Sequence, residues 1–71
     1  MIGIFRTNIN TTQDKINVLE AISASFNVAT CSIDMEDCDK VLRIVAQTQP
    51  IEETAVIKLV QHMGYQCTVL E

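Results

Sequence analysis

The sequence predicts an α+β fold in which strand, helix, strand, strand, helix and strand follow one another along a single domain spanning residues 1–71. Three observations predict it. β-branched runs of period two stand at both ends of the chain and as a pair in its middle. Two helical stripes of apolar residues separate them, and turn or cap residues mark the junctions.

The first strand is read over Ile2 to Ile9, where alternation puts Gly3, Phe5, Thr7 and Ile9 on one face. The polar run Asn10-Thr11-Thr12-Gln13-Asp14 then offers helix caps ahead of Ile16, Leu19, Ile22 and Phe26. These lie three and four apart, so a helix over about Thr12 to Phe26 is expected to bury them. Thr11 and Asp14, three apart, suit a capping-box variant, and Asp14 also favours the positive end of the helix dipole.

From Val28 to Met35, Ala29, Cys31, Ile33 and Met35 alternate with polar residues, and Lys40 to Ala46 repeats the pattern with Leu42, Ile44 and Ala46. The polar link Glu36-Asp37-Cys38-Asp39 makes the pair a hairpin. Gln49-Pro50-Ile51-Glu52-Glu53 places Pro50 at the first position of a second helix, with Ala55, Val56, Leu59, Val60 and Met63 as its buried stripe and Gly64 as its left-handed stop. Gln66 to Leu70 is the last strand. The right-handed crossover rule, applied to two strand-helix-strand units, orders the antiparallel sheet 4-1-3-2 with both helices on one face, a ferredoxin-like fold. That fold gathers Thr11 to Asp14, Glu36 to Asp39 and Gly64 to Gln66 at one end.

Composition narrows the function. With 71 residues, 48% hydrophobic and 20% charged, the chain can bury one core. A net charge of -4 with five Lys plus Arg offers no basic stripe for nucleic acid. Its apolar runs fall far below the roughly 20 residues that cross a bilayer, so no membrane partner is expected. Three cysteines, Cys31, Cys38 and Cys67, lack the spacing of a disulfide framework, and no basic and apolar leader is read at the start. Reduced thiols in a cytoplasmic protein are expected.

Four groups of residues make the chain resemble the heavy-metal-associated domain of small copper chaperones and of the N-terminal modules of metal-transporting ATPases. They are Ile33-Asp34-Met35 before a turn, Val41-Leu42-Arg43-Ile44, Ile51-Glu52-Glu53 opening the second helix, and Gly64-Tyr65 before the last strand. The resemblance covers nearly the whole chain. In that family the first loop reads Met-x-Cys-x-x-Cys, and its paired thiolates hold a soft ion such as Cu(I). Here Ile9 takes the Met position, while Thr11 and Asp14 take the cysteine positions. A hydroxyl and a carboxylate do not replace two thiolates, so the resemblance implies a degenerate loop without the family's metal or any other cofactor.

Two further ligand sets come into view. Cys38, His62 and Cys67, with Asp14 or Asp37, would belong to the loop end and define an alternative, displaced metal site. Against it, free cysteine favours the core and a histidine in a last helical turn complements the dipole. Asp34, Glu36, Asp37 and Asp39 lack the Gly and closing Glu of an EF-hand loop. Cys38 and His62 have no nucleophile-flanking motif around them, so no enzymatic activity is expected. Finally, Ile2, Ile4, Val41 and Val45 fall on the sheet face away from the helices, interrupted by Arg6 and Arg43. Such an apolar face suits a protein partner or homo-oligomer. The expected function is therefore a non-catalytic binding or interaction module.

Overall fold

The computed structural model describes residues 2–36 and 38–70. Its elements are β1 (Ile2–Thr7), α1 (Thr12–Ser25), β2 (Val28–Asp34), β3 (Val41–Ala46), α2 (Glu53–His62) and β4 (Cys67–Val69). The sheet is antiparallel throughout and ordered β2-β3-β1-β4, which is 4-1-3-2 read from the other edge. This is the ferredoxin-like layout the sequence predicts.

The central pair sets the register. Phe5 faces Leu42 and Gly3 faces Ile44 across β1 and β3. With Ile9, Ile33 and Cys67 from the same side of the sheet and Val18, Ile22, Val56 and Val60 from the helices, Phe5, Leu42 and Ile44 form the core. Each fully buried aliphatic or aromatic side chain stabilises by roughly 1.5–3 kcal/mol relative to exposure. Gly3 is needed here because a Cβ would lie 3.0 Å from the Phe5 ring and 3.2 Å from Ile51 Cδ1. All four residues assigned to the inner face of β1 are buried, Ile9 from just beyond the strand's end.

The helices depart from expectation at definite points. In α1, Val18 is buried while Ile16 is 43% exposed. At about 100° per residue, Val18 and Phe26 lie within about 40° of Ile22, whereas Ile16 lies about 120° away, outside the arc that meets the sheet. Helix α2 starts at Glu53 with Glu52 as its cap, so Pro50 is not its first residue. Ile51 explains the delay: its side chain reaches over Gly3 against the core, and the chain turns helical only after it. The far end of α2 closes as predicted. Gly64 has φ +101, its N–H donates to the Gln61 carbonyl at 3.0 Å, and the Tyr65 N–H donates to Val60 at 3.3 Å, the two bonds of a Schellman motif.

Strand β2 carries an irregularity where Val28 pairs Ala46 and Thr30 pairs Val45. The intervening Ala29 is thereby turned to solvent and Val28 packs on the core, the reverse of a strict alternation. At the other end of the hairpin Lys40 adopts φ 46, a left-handed conformation uncommon for a residue with a Cβ. It cannot be the first residue of β3, which starts at Val41.

Candidate functional site

Three segments meet at one end of the domain, and Thr7 at the end of β1 ties the first to the second. Its N–H donates to the Asp39 carbonyl at 3.1 Å, and its hydroxyl, in a residue 7% exposed, donates to the Lys40 carbonyl at 2.7 Å. The left-handed Lys40 turns that carbonyl inward, and its Nζ donates to the Met35 carbonyl at 3.0 Å. The Thr7 Oγ1 also accepts from the Ile9 N–H at 3.4 Å, which bends the chain so that Ile9 is fully buried beneath the loop.

Asn8 then joins the first segment to the third. Its Oδ1 accepts from the Gln66 N–H at 2.9 Å, so a side chain continues the β1–β4 ladder one step past Thr7 and Cys67. The last strand therefore begins at Cys67 rather than Gln66.

Thr11 and Asp14 have separate roles. Thr11 is the cap of α1, and its hydroxyl accepts from the Asp14 N–H at 3.1 Å. Asp14 does not complete a reciprocal box. Its Oδ1 instead accepts from the Tyr65 hydroxyl at 2.6 Å, tying the first turn of α1 to the turn before β4. That bond, and the negative charge behind it, raise the Tyr65 phenol above its ordinary value because only the protonated phenol can donate. Thr11 and Asp14 thus close the loop end by hydrogen bonding.

The displaced ligand set does not assemble. Cys67 is 1% exposed in the core, whereas Cys38 and His62 are exposed, and among the described residues no group of three or more His, Cys, Asp or Glu side chains is placed to hold a metal ion. Asp37 lies outside the described residues. Burial pushes the Cys67 thiol up to about 11, which holds it as a neutral thiol, a poor metal ligand at neutral pH.

The open face of the sheet pairs Ile2 with Val45 and Ile4 with Arg43. Ile2 is 61% exposed, and Ile4 and Val45 are half-buried. Val41 corrects the expected patch: it is only 8% exposed and offers little to a partner. By alternation with Thr68, the half-buried Leu70 joins this face, and its N–H donates to the Ile4 carbonyl at 3.0 Å. Arg6 on the same face is held to Asp39 at 3.2 Å. No helix among the described residues is long and apolar enough to cross a membrane.

The sequence reading missed Thr7, Asn8, Lys40 and Tyr65 as the residues that close the loop end. Their partners lie far off in sequence, 51 positions for Tyr65 and Asp14 and 58 for Gln66 and Asn8. Comparison with family models, with curated proteins and with solved structures returned no match to this chain.

Proposed function

We propose that this domain is a non-catalytic interaction module, similar to heavy-metal-associated domains but without their soft-metal loop, and that it engages a protein surface through the open face of its sheet. The observation that carries this reading is the cross-strand pair Ile2 and Val45, with Ile2 61% exposed, on a face that neither helix covers. Apolar side chains grouped on one sheet face gain by being covered, at about 25 cal/mol per Å² of apolar surface removed from water. Arg6 and Arg43 beside them supply charged contacts at the edge of such a patch. The loop end supports the same reading from the other side, because Thr11 and Asp14 are engaged in capping and in the Tyr65 bond.

Sedimentation velocity over a concentration series tests the version in which the partner is a second copy. Wild type is expected to sediment faster as concentration rises, and Ile2→Glu to remain a monomer at every concentration. Ile2 is exposed, so the variant keeps its fold. A wild type that stays monomeric at millimolar concentration removes self-association and leaves only a different protein as partner.

A further inference from the structure

At the end of the domain opposite the loop cluster, on the helix side, lies a cavity of about 160 Å³. Phe26 and Val28 from the α1–β2 junction, Ile44 from β3, and Ile51, Ala55 and Val56 from the approach to α2 form its walls. An apolar cavity of about 150 Å³ stays dry and admits a benzene ring, so this space suits an apolar body of about six or seven carbons.

The rim selects the head group. Asn27, Gln49 and Glu52 are its polar lining, Glu52 alone carries charge, and no Lys, Arg or His among the described residues lines the cavity. The Asn27 Nδ2 donates to Thr48 Oγ1 at 3.1 Å, which leaves Oδ1 as its acceptor. Glu52 occupies the cap position of α2, yet its carboxylate makes no capping hydrogen bond. No capping hydrogen bond therefore ties the carboxylate to its own helix, and Glu53 follows in the first turn. The N-terminus of α2 contributes about half a positive charge, which the full negative charge of Glu52 outweighs. Acceptors and negative charge above an apolar space call for a ligand with an ammonium group and a compact apolar body.

The geometry points to a binding site for a small primary amine, aromatic or branched aliphatic, with its apolar body between Phe26, Ile44 and Ala55 and its ammonium at Glu52 and the Asn27 Oδ1. This site lies on the opposite side of the sheet from the proposed interaction surface and does not depend on it. Benzylamine, benzyl alcohol and benzoate are the probes, titrated into the full chain while the backbone amide resonances of Phe26, Val28, Ile44 and Ala55 are followed. Saturable shifts are expected at these residues, tightest for benzylamine and weakest for benzoate. Glu52→Gln is expected to weaken benzylamine about fivefold, the size of an exposed ion pair, and to leave benzyl alcohol unchanged. Ala55→Leu fills the space and abolishes binding of all three. Should that variant fail to fold, Glu52→Gln, at an exposed position, still decides the matter. Benzoate binding as tightly as benzylamine, benzylamine indifferent to Glu52→Gln, or no saturable shift up to the solubility of the probes overturns the assignment.

Discussion

The two ends of this domain are closed by different physics. At the loop end, β1, the hairpin and the turn before β4 are held by directional bonds: Thr7 to Asp39 and Lys40, Asn8 to Gln66, and Asp14 to Tyr65. Beneath them Ile9 is fully buried. At the other end Phe26, Pro50 and Ile51 meet loosely around a cavity, and the cap of α2 makes no side-chain bond. The difference teaches where the fold has room to change. The loop end tolerates little substitution at the buried Thr7, where a lost hydroxyl strands groups shielded from water, whereas an end closed by apolar contact with space to spare accepts repacking.

The largest effect comes from giving the loop end the pair of thiols that its proposed relatives carry. Thr11→Cys with Asp14→Cys is expected to take up Cu(I) stoichiometrically in reduced protein, measured by competition with a chromogenic chelator, where wild type does not. Wild type competing as well as the variant would break the proposal that Thr11 and Asp14 make this loop degenerate. The variant also gives up the Thr11 cap and the Tyr65 bond, so it should melt below wild type when no metal is present.

Core truncation at each end compares them directly. Ile9→Ala, at a fully buried site, is expected to cost about 2–5 kcal/mol in urea unfolding. Ile51→Ala, at a half-buried site beside an existing cavity, should cost less than half as much. Equal costs would mean that the cavity end is packed as tightly as the loop end.

Smaller still is the cap. Thr11→Ala removes the acceptor for the Asp14 N–H and should cost about 1 kcal/mol, with Thr11→Ser restoring most of it. A Thr11→Ala variant as stable as wild type would show that the Asp14–Tyr65 bond alone holds the start of α1.

The finest comparison uses the thiols and pH. Near neutral pH the exposed Cys38 should react at once with a disulfide reagent, the half-buried Cys31 more slowly, and Cys67 only on unfolding. Burial moves Cys67 from 9.0 up to about 11. Below 9.0 the thiol is neutral in both folded and unfolded chains and leaves stability unchanged. Between 9.0 and about 11 the unfolded chain releases its proton first, so stability falls as pH rises through that window. Tyr65, raised in the same direction by Asp14, adds to the alkaline loss. Cys67→Ala should flatten the part of the pH curve that starts near 9.0, and an unchanged curve would assign the loss elsewhere.

The alternating strands and the stripe of α2 were legible in the sequence because their signals are local. Phe5, Leu42 and Ile44 each have an exposed arginine, Arg6 or Arg43, as a neighbour turned to the other face, and Val56 and Val60 repeat at helical spacing. The Thr11 cap and the Gly64 stop were legible for the same reason, since each acts within a turn of its own position. Ile16 misled because periodicity alone does not say which side of a helix will face the sheet, and Val41 because alternation gives a face but not what lies over it.

By itself, then, the sequence determined the order of the elements, the inner face of each central strand, and Thr11 as the cap of α1. The tertiary structure decided what Asp14 does, where α2 begins, which way Ala29 turns and where space is left unfilled. Each of these depends on groups brought together from distant parts of the chain: Tyr65 onto Asp14, Ile51 onto Gly3, and Phe26 toward Pro50 across the cavity. Local propensity is carried by neighbours in sequence, while hydrogen bonds and packing across the fold exist only once the chain has closed on itself.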